Sequence, residues 1–165
     1  MPEKKTIERA REDAREGKSP STQAGEFVRE EIHHIREGKH GARSTQQAIA
    51  IGLSKARRAG VKLKTPKKGT VSEETRRAAA RDTRKAKSGG RKKTSARRSR
   101  AMLKRLKREG RSAASPQALA KQARSAARRR SAASRSASAK KGARTKGPAK
   151  RRAAAKKAAR TRARR

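Results

Sequence analysis

The chain of 165 residues has no cysteine, no tryptophan and no tyrosine, and Phe27 is its one aromatic residue. Without cysteine there is no disulfide framework and no thiolate metal site. A single phenylalanine, assigned to a core by its helical spacing, leaves no platforms for stacking unpaired bases, the usual device of single-strand and RNA-loop readers. No apolar run approaches the roughly 18 residues of a spanning helix. Met1-Pro2-Glu3-Lys4-Lys5 has no apolar stretch behind it, so a secretory signal is not expected. Acidic residues are also scarce, 13 against 53 Lys and Arg, for a net charge of +40. The apolar share is 30%, most of it alanine. Such a chain buries too little surface to offset the ordering entropy of one large domain.

What is present is unevenly placed. Residues 1–64 carry 15 basic and 9 acidic side chains, whereas residues 65–165 carry 38 basic and only 4 acidic ones. The first part reads as a salt-bridged folded surface, the second as a polyanion-binding tail.

A local pattern occurs three times. Arg15-Glu16-Gly17-Lys18 precedes Ser21-Thr22-Gln23-Ala24, Arg36-Glu37-Gly38-Lys39 precedes Ser44-Thr45-Gln46-Gln47-Ala48, and Arg108-Glu109-Gly110-Arg111 precedes Ser115-Pro116-Gln117-Ala118. Glycine after a charged stretch closes a helix, and serine caps the next one. The unit is therefore helix, glycine stop, short basic connection, serine start, helix.

Periodicity predicts helices over about residues 3–16, 22–37 and 45–59, the second with a stripe of Ala24, Phe27, Val28, Ile32 and Ile35. Ala48, Ile49, Gly52, Leu53 and Ala56 share a face of the third, which is expected to pack on the second as a hairpin. The fold class expected is mostly α: residues 1–64 a small helical module, 65–94 a basic linker with one charged helix from Ser72, 95–130 a weak helical hairpin, and 131–165 a disordered Ala/Ser/Lys/Arg tail with latent helicity. The module is small enough that self-association through Phe27, Val28, Ile32, Ile35, Ile49 and Leu53 would help it.

The chemistry on offer is phosphate binding. Lys55, Arg57, Arg58, Lys62 and Lys64 close the module, and clusters follow at Arg91-Lys92-Lys93, Arg97-Arg98, Arg128-Arg129-Arg130, Lys150-Arg151-Arg152, Lys156-Lys157 and Arg164-Arg165. Each cation that neutralises a phosphate releases a counterion, and guanidinium suits bidentate phosphate contact. A charge run is ordinarily a solvated face, but here no acid balances about a hundred residues. Gln46 and Gln47 could open a recognition helix, although solvated first-turn positions account for them as well. His33, His34 and His40 are not expected to bind metal: adjacent histidines on a helix diverge, and zinc needs three or four convergent ligands. No Gly-rich phosphate loop, no activated nucleophile and too little core to exclude water point to a protein that is not an enzyme and needs no cofactor.

Residues 14–63, through Arg-Glu-Gly-Lys-Ser-Pro-Ser-Thr-Gln-Ala-Gly-Glu-Phe-Val-Arg-Glu-Glu-Ile and Gly-Ala-Arg-Ser-Thr-Gln-Gln-Ala-Ile-Ala-Ile-Gly-Leu-Ser-Lys-Ala-Arg-Arg-Ala-Gly, resemble an uncharacterised family of short basic bacterial proteins. That resemblance implies a bacterial origin and brings no site. Pro148-Ala149-Lys150 and Ala153-Ala154-Ala155-Lys156-Lys157-Ala158-Ala159 resemble in composition the tails of linker histones and bacterial histone-like proteins. The linker-histone winged helix has no counterpart here.

The expectation is a cytoplasmic, nucleoid-associated, histone-like protein that binds double-stranded DNA without sequence preference. RNA or ribosome binding is the alternative partner class, and an adaptor whose N-terminal module binds a protein is a second. Membrane binding is not expected, because the helices lack interfacial anchors.

Overall fold

The computed structural model describes residues 2–87 and 95–163. Serines set where most of its helices begin. Ser19 Oγ accepts from the Thr22 amide, Ser44 Oγ from Gln47, Ser72 Oγ from Thr75, Ser115 Oγ from Ala118 and Ser131 Oγ from Ser134. Each hydroxyl satisfies one of the amides that a helix N-terminus leaves without an internal partner. Pro20 and Pro116 each open a helix, where the missing N–H costs nothing. Gly38 ends a helix at φ +77, in the left-handed region that other residues enter at a cost.

These signals bound α1 (Lys4–Arg15), α2 (Pro20–Arg36), α3 (Thr45–Arg58), α4 (Glu73–Lys87), α5 (Ala96–Lys107), a 3-10 turn (Ser112–Ala114), α6 (Pro116–Arg128) and α7 (Ala132–Ala163). The chain forms two compact units, Met1–Gln122 and Ala123–Arg165.

In the first unit α2 is central. It packs on α1 and α3, α3 packs on α4, and the 3-10 turn rests on both α2 and α3. The expected hairpin stripe divides between two clusters. Phe27 and Ala24 meet Ala10 of α1 and Ala56 of α3, with Ile7, Leu53, Val61 and Leu63 at the edge. Ile32 and Ile35 meet Ala42, Ala48, Ala113 and Ala114, with Val28 and Leu119 beside them. Ile49 stays half-buried. α3 comes close because Gly52 faces α2: a Cβ there would lie 2.7 Å from the Val28 Cα.

The third copy of the sequence pattern docks on the second. The Gly41 amide donates to the Leu106 carbonyl at 2.9 Å and the Ala42 amide to the Gly110 carbonyl at 3.1 Å. A side chain at Gly41 would run into the Glu109 carbonyl. Arg36 Nε donates to the Ala114 carbonyl at 2.9 Å, and the Thr45 hydroxyl to the Ala113 carbonyl at 2.7 Å. Residues 106–114 are thereby stitched to the α2–α3 connection.

The second unit corrects the sequence-based expectation for residues 131–165. Instead of a disordered tail, Ala132–Ala163 is helical, interrupted at Gly147, whose φ 67 and ψ 170 leave the helix. Alanine, lysine and arginine are strong helix formers, and their preferences accumulate over so long a segment. Gly147 closes the stretch before it, and Pro148 sits where proline is tolerated, at the start of the next. Low-complexity composition suggests disorder, yet here it means only that α7 has no apolar face to bury, and none of its residues is buried.

Candidate nucleic-acid interface

Acids take up two of the three cations of α3. Lys55 Nζ lies 2.7 Å from Glu31 Oε2 and 3.3 Å from Glu30 Oε1, both carboxylates being buried. Arg57 is only 8% exposed and its Nε has no hydrogen-bond partner. Burial lowers its pKa, opposed by the charge of Asp82. Arg58 Nε donates to Asp82 Oδ1 at 3.0 Å, while Ser54 donates to the other Asp82 oxygen at 2.6 Å. The three α3 cations singled out in the sequence thus hold the fold, and only Arg58 keeps a largely exposed side chain. Lys62 and Lys64, just beyond, are exposed.

The same neutralisation recurs through the N-terminal helices. Lys18 pairs with Asp13 and Glu16, each at 2.7 Å, and these bonds raise its pKa. Lys39 pairs with Glu37 at 3.0 Å, while Arg9 and Arg29 approach Glu26. The Glu3 carboxyl is held below its ordinary value, first by its hydrogen bond with His34.

From α5 onward the balance changes. Arg97 and Arg98 are exposed on α5. At 100° per residue they share an arc with Arg100, Lys104, Arg105 and Arg108, and Met102, Leu103 and Leu106 occupy the opposite side. Met102 and Leu103 are 55% and 45% exposed. Adjacent pairs such as Arg97-Arg98 do not show this arc, which only the three-and-four spacing reveals.

In the second unit Arg128, Arg129 and Arg130 are exposed at the start, and the Arg130 guanidinium folds onto Ser134 and Ser138. Lys150, Arg151, Arg152, Lys156 and Lys157 are exposed on α7, with lysine and arginine projecting on every side. No Asp or Glu follows Glu109, while twenty Lys and Arg do. Arg91, Lys92, Lys93, Arg164 and Arg165 lie outside the described residues. Among the described residues no helix is long and apolar enough to cross a membrane.

Comparison with known proteins places residues 15–69 in a match to a family of unknown function (DUF6496), which covers the α2–α3 hairpin and ends before α4. No curated protein and no solved structure matches the chain.

Proposed function

We propose that this chain binds duplex nucleic acid, DNA foremost, by neutralising phosphates without reading bases, and acts as a histone-like, nucleoid-associated protein. The observation that carries the reading is the unbalanced charge beyond the first helices: twenty cations and no carboxylate after Glu109, borne in the described part on exposed helices. A polycation of this density repels itself and is stabilised by any polyanion that brings phosphates alongside it. Ringless side chains favour backbone contact with a duplex over stacking on single strands. α7 has cations all round, which suits contact with more than one duplex strand segment at once and therefore condensation. The resemblance of its composition to histone-like tails supports the same reading.

The test is a salt titration of binding to matched duplex DNA, duplex RNA and single-stranded DNA, using the full chain and a chain ending at residue 122. The full chain is expected to prefer duplex DNA, with log K falling against log salt at a slope steeper than about −6. Removing residues 123–165 is expected to cut that slope by at least half. A clear preference for structured RNA at physiological salt would transfer the proposal to the ribosome. Strong, sequence-dependent binding by the shorter chain would instead make α3 and its Gln46 and Gln47 the reader.

A further inference from the structure

We propose that Glu31, His34 and His40 form a binding site for a divalent transition-metal ion of the zinc class. The three residues come from one helix and the loop that follows it. Glu31 and His34 lie three apart on α2 and share a face, while the chain turns at Gly38 and returns His40 to them. One ligand atom from each lies within 4.8 Å of the other two. His33 is exposed and takes no part.

The hydrogen bonds around the two imidazoles decide which nitrogens are free. His40 Nδ1 lies 3.1 Å from the Gly41 carbonyl, which only accepts, so Nδ1 carries the hydrogen. His34 Nε2 lies 2.8 Å from Glu3 Oε1, a carboxylate oxygen that accepts, so the hydrogen there is on Nε2. In a ring that carries that one hydrogen alone, the other nitrogen presents a lone pair. That of His40, Nε2, faces Glu31 Oε1 at 3.3 Å, and that of His34, Nδ1, lies 4.0 Å from Glu30 Oε1. Each of these nitrogens faces a buried carboxylate oxygen, an arrangement that a cation between them, a proton or a metal ion, would relieve.

Glu31 itself makes the strongest case. It is fully buried, and neither of its oxygens has a hydrogen bond of proper geometry. Lys55 stands 2.7 Å from Oε2 and leaves Oε1 toward His40. With metal–ligand distances near 2.0 Å, two ligands of a tetrahedral zinc stand roughly 3.3 Å apart, the length of the Glu31–His40 edge. His34 stands within 4.8 Å of both and would have to move inward to close the third corner. The Gly41 carbonyl and the Glu3 carboxylate stand where ligating histidines place their outer partners, fixing tautomer and ring direction. Two imidazoles with one carboxylate suit zinc or cobalt better than magnesium or calcium, which prefer all-oxygen shells.

The experiment uses the full chain without a polyhistidine tag and Co2+ alone as the probe. One equivalent of Co2+ is expected to give the visible absorption of a tetrahedral site, and Zn2+ to abolish it by displacement. His34→Gln and His40→Gln are each expected to weaken binding at least about tenfold with helical content unchanged, and His33→Gln to leave it as it was. Ring-nitrogen NMR of the unaltered chain covers the case in which a substitution disturbs folding. Zn2+ is expected to shift His40 Nε2 and His34 Nδ1, and not His33. No cobalt absorption at neutral pH, equal loss with His33→Gln, or a doubly protonated His40 that ignores excess Zn2+ would overturn the proposal.

Discussion

At the scale of single residues, two glycines of the same hairpin illustrate opposite demands. Gly52 faces α2 so closely that a Cβ would lie 2.7 Å from the Val28 Cα and 3.0 Å from its amide nitrogen, so α2 and α3 would have to separate. Gly25 lies in α2 with nothing within 4 Å of where its Cβ would be. Gly52→Ala is expected to destabilise the fold by about 1–3 kcal/mol through overpacking. Gly25→Ala is expected to stabilise it by roughly 0.5–1 kcal/mol, since alanine restricts the unfolded chain and favours helix. Urea unfolding of the two variants checks both signs. The sequence places Gly52 on the apolar face of α3 and leaves Gly25 off the α2 stripe, but how closely the α2 backbone passes Gly52 belongs to the packing alone. Lys55 gives the same lesson. Its place in the last turn of α3 follows from sequence, but its engagement by Glu31 follows from how α2 lies against α3.

At the scale of elements, α4 is held on α3 largely by a polar lock. Asp82, 8% exposed, accepts from Ser54 and Arg58 and is the anion nearest the buried Arg57 in effect, opposing the burial that lowers the Arg57 pKa. Removing the charge leaves a buried guanidinium without its counter-ion, which costs more than the exposed half of the Arg58 pair contributes. Asp82→Asn is expected to cost on the order of 1–2 kcal/mol and to raise amide exchange across 73–87 ahead of α2. Uniform protection of the two helices in that variant would show that apolar contact around Ala79 carries the docking.

α7 poses a different problem, because like charges three and four residues apart oppose the helix that alanine favours. Its helicity is therefore expected to rise with salt and further with inorganic polyphosphate, measured as the far-UV ellipticity that residues 123–165 add to a chain ending at 122. Ellipticity that ignores both would mean that the charges do not oppose the helix.

At the scale of the whole molecule, the chain separates two uses of positive charge. In the N-terminal helices cations meet acids and hold the fold together, as at Lys18, Lys39, Lys55 and Arg58. Past Glu109 they have no acid to meet. The core that supports this division is small: Phe27 and Ile35 are its largest fully buried apolar side chains, and most of the rest is alanine. A core of this size makes a marginal unit. The stitching of residues 106–114 to the α2–α3 loop adds order where apolar area is short.

By itself, the sequence determined whatever depends on near neighbours. Serine caps, glycine stops and three-and-four spacing act within a turn or two, so the helices from α1 to α6 were legible before any tertiary contact was known. The charge asymmetry needs no fold at all. The helicity of α7 belongs to this local class too: the sequence shows it as latent in the Ala, Lys and Arg content, and low complexity by itself does not imply disorder. Tertiary packing decided the rest. Only the packing of α3 against α2 and α4 withdraws Lys55 and Arg57 from the surface, and only the turn after α2 brings His40 to Glu31 and His34. The close passage of Gly41 by Glu109, across 68 positions of chain, depends on space left by an absent side chain. Burial, close approach and convergence of ligands are relations between distant residues, and no local spacing encodes them.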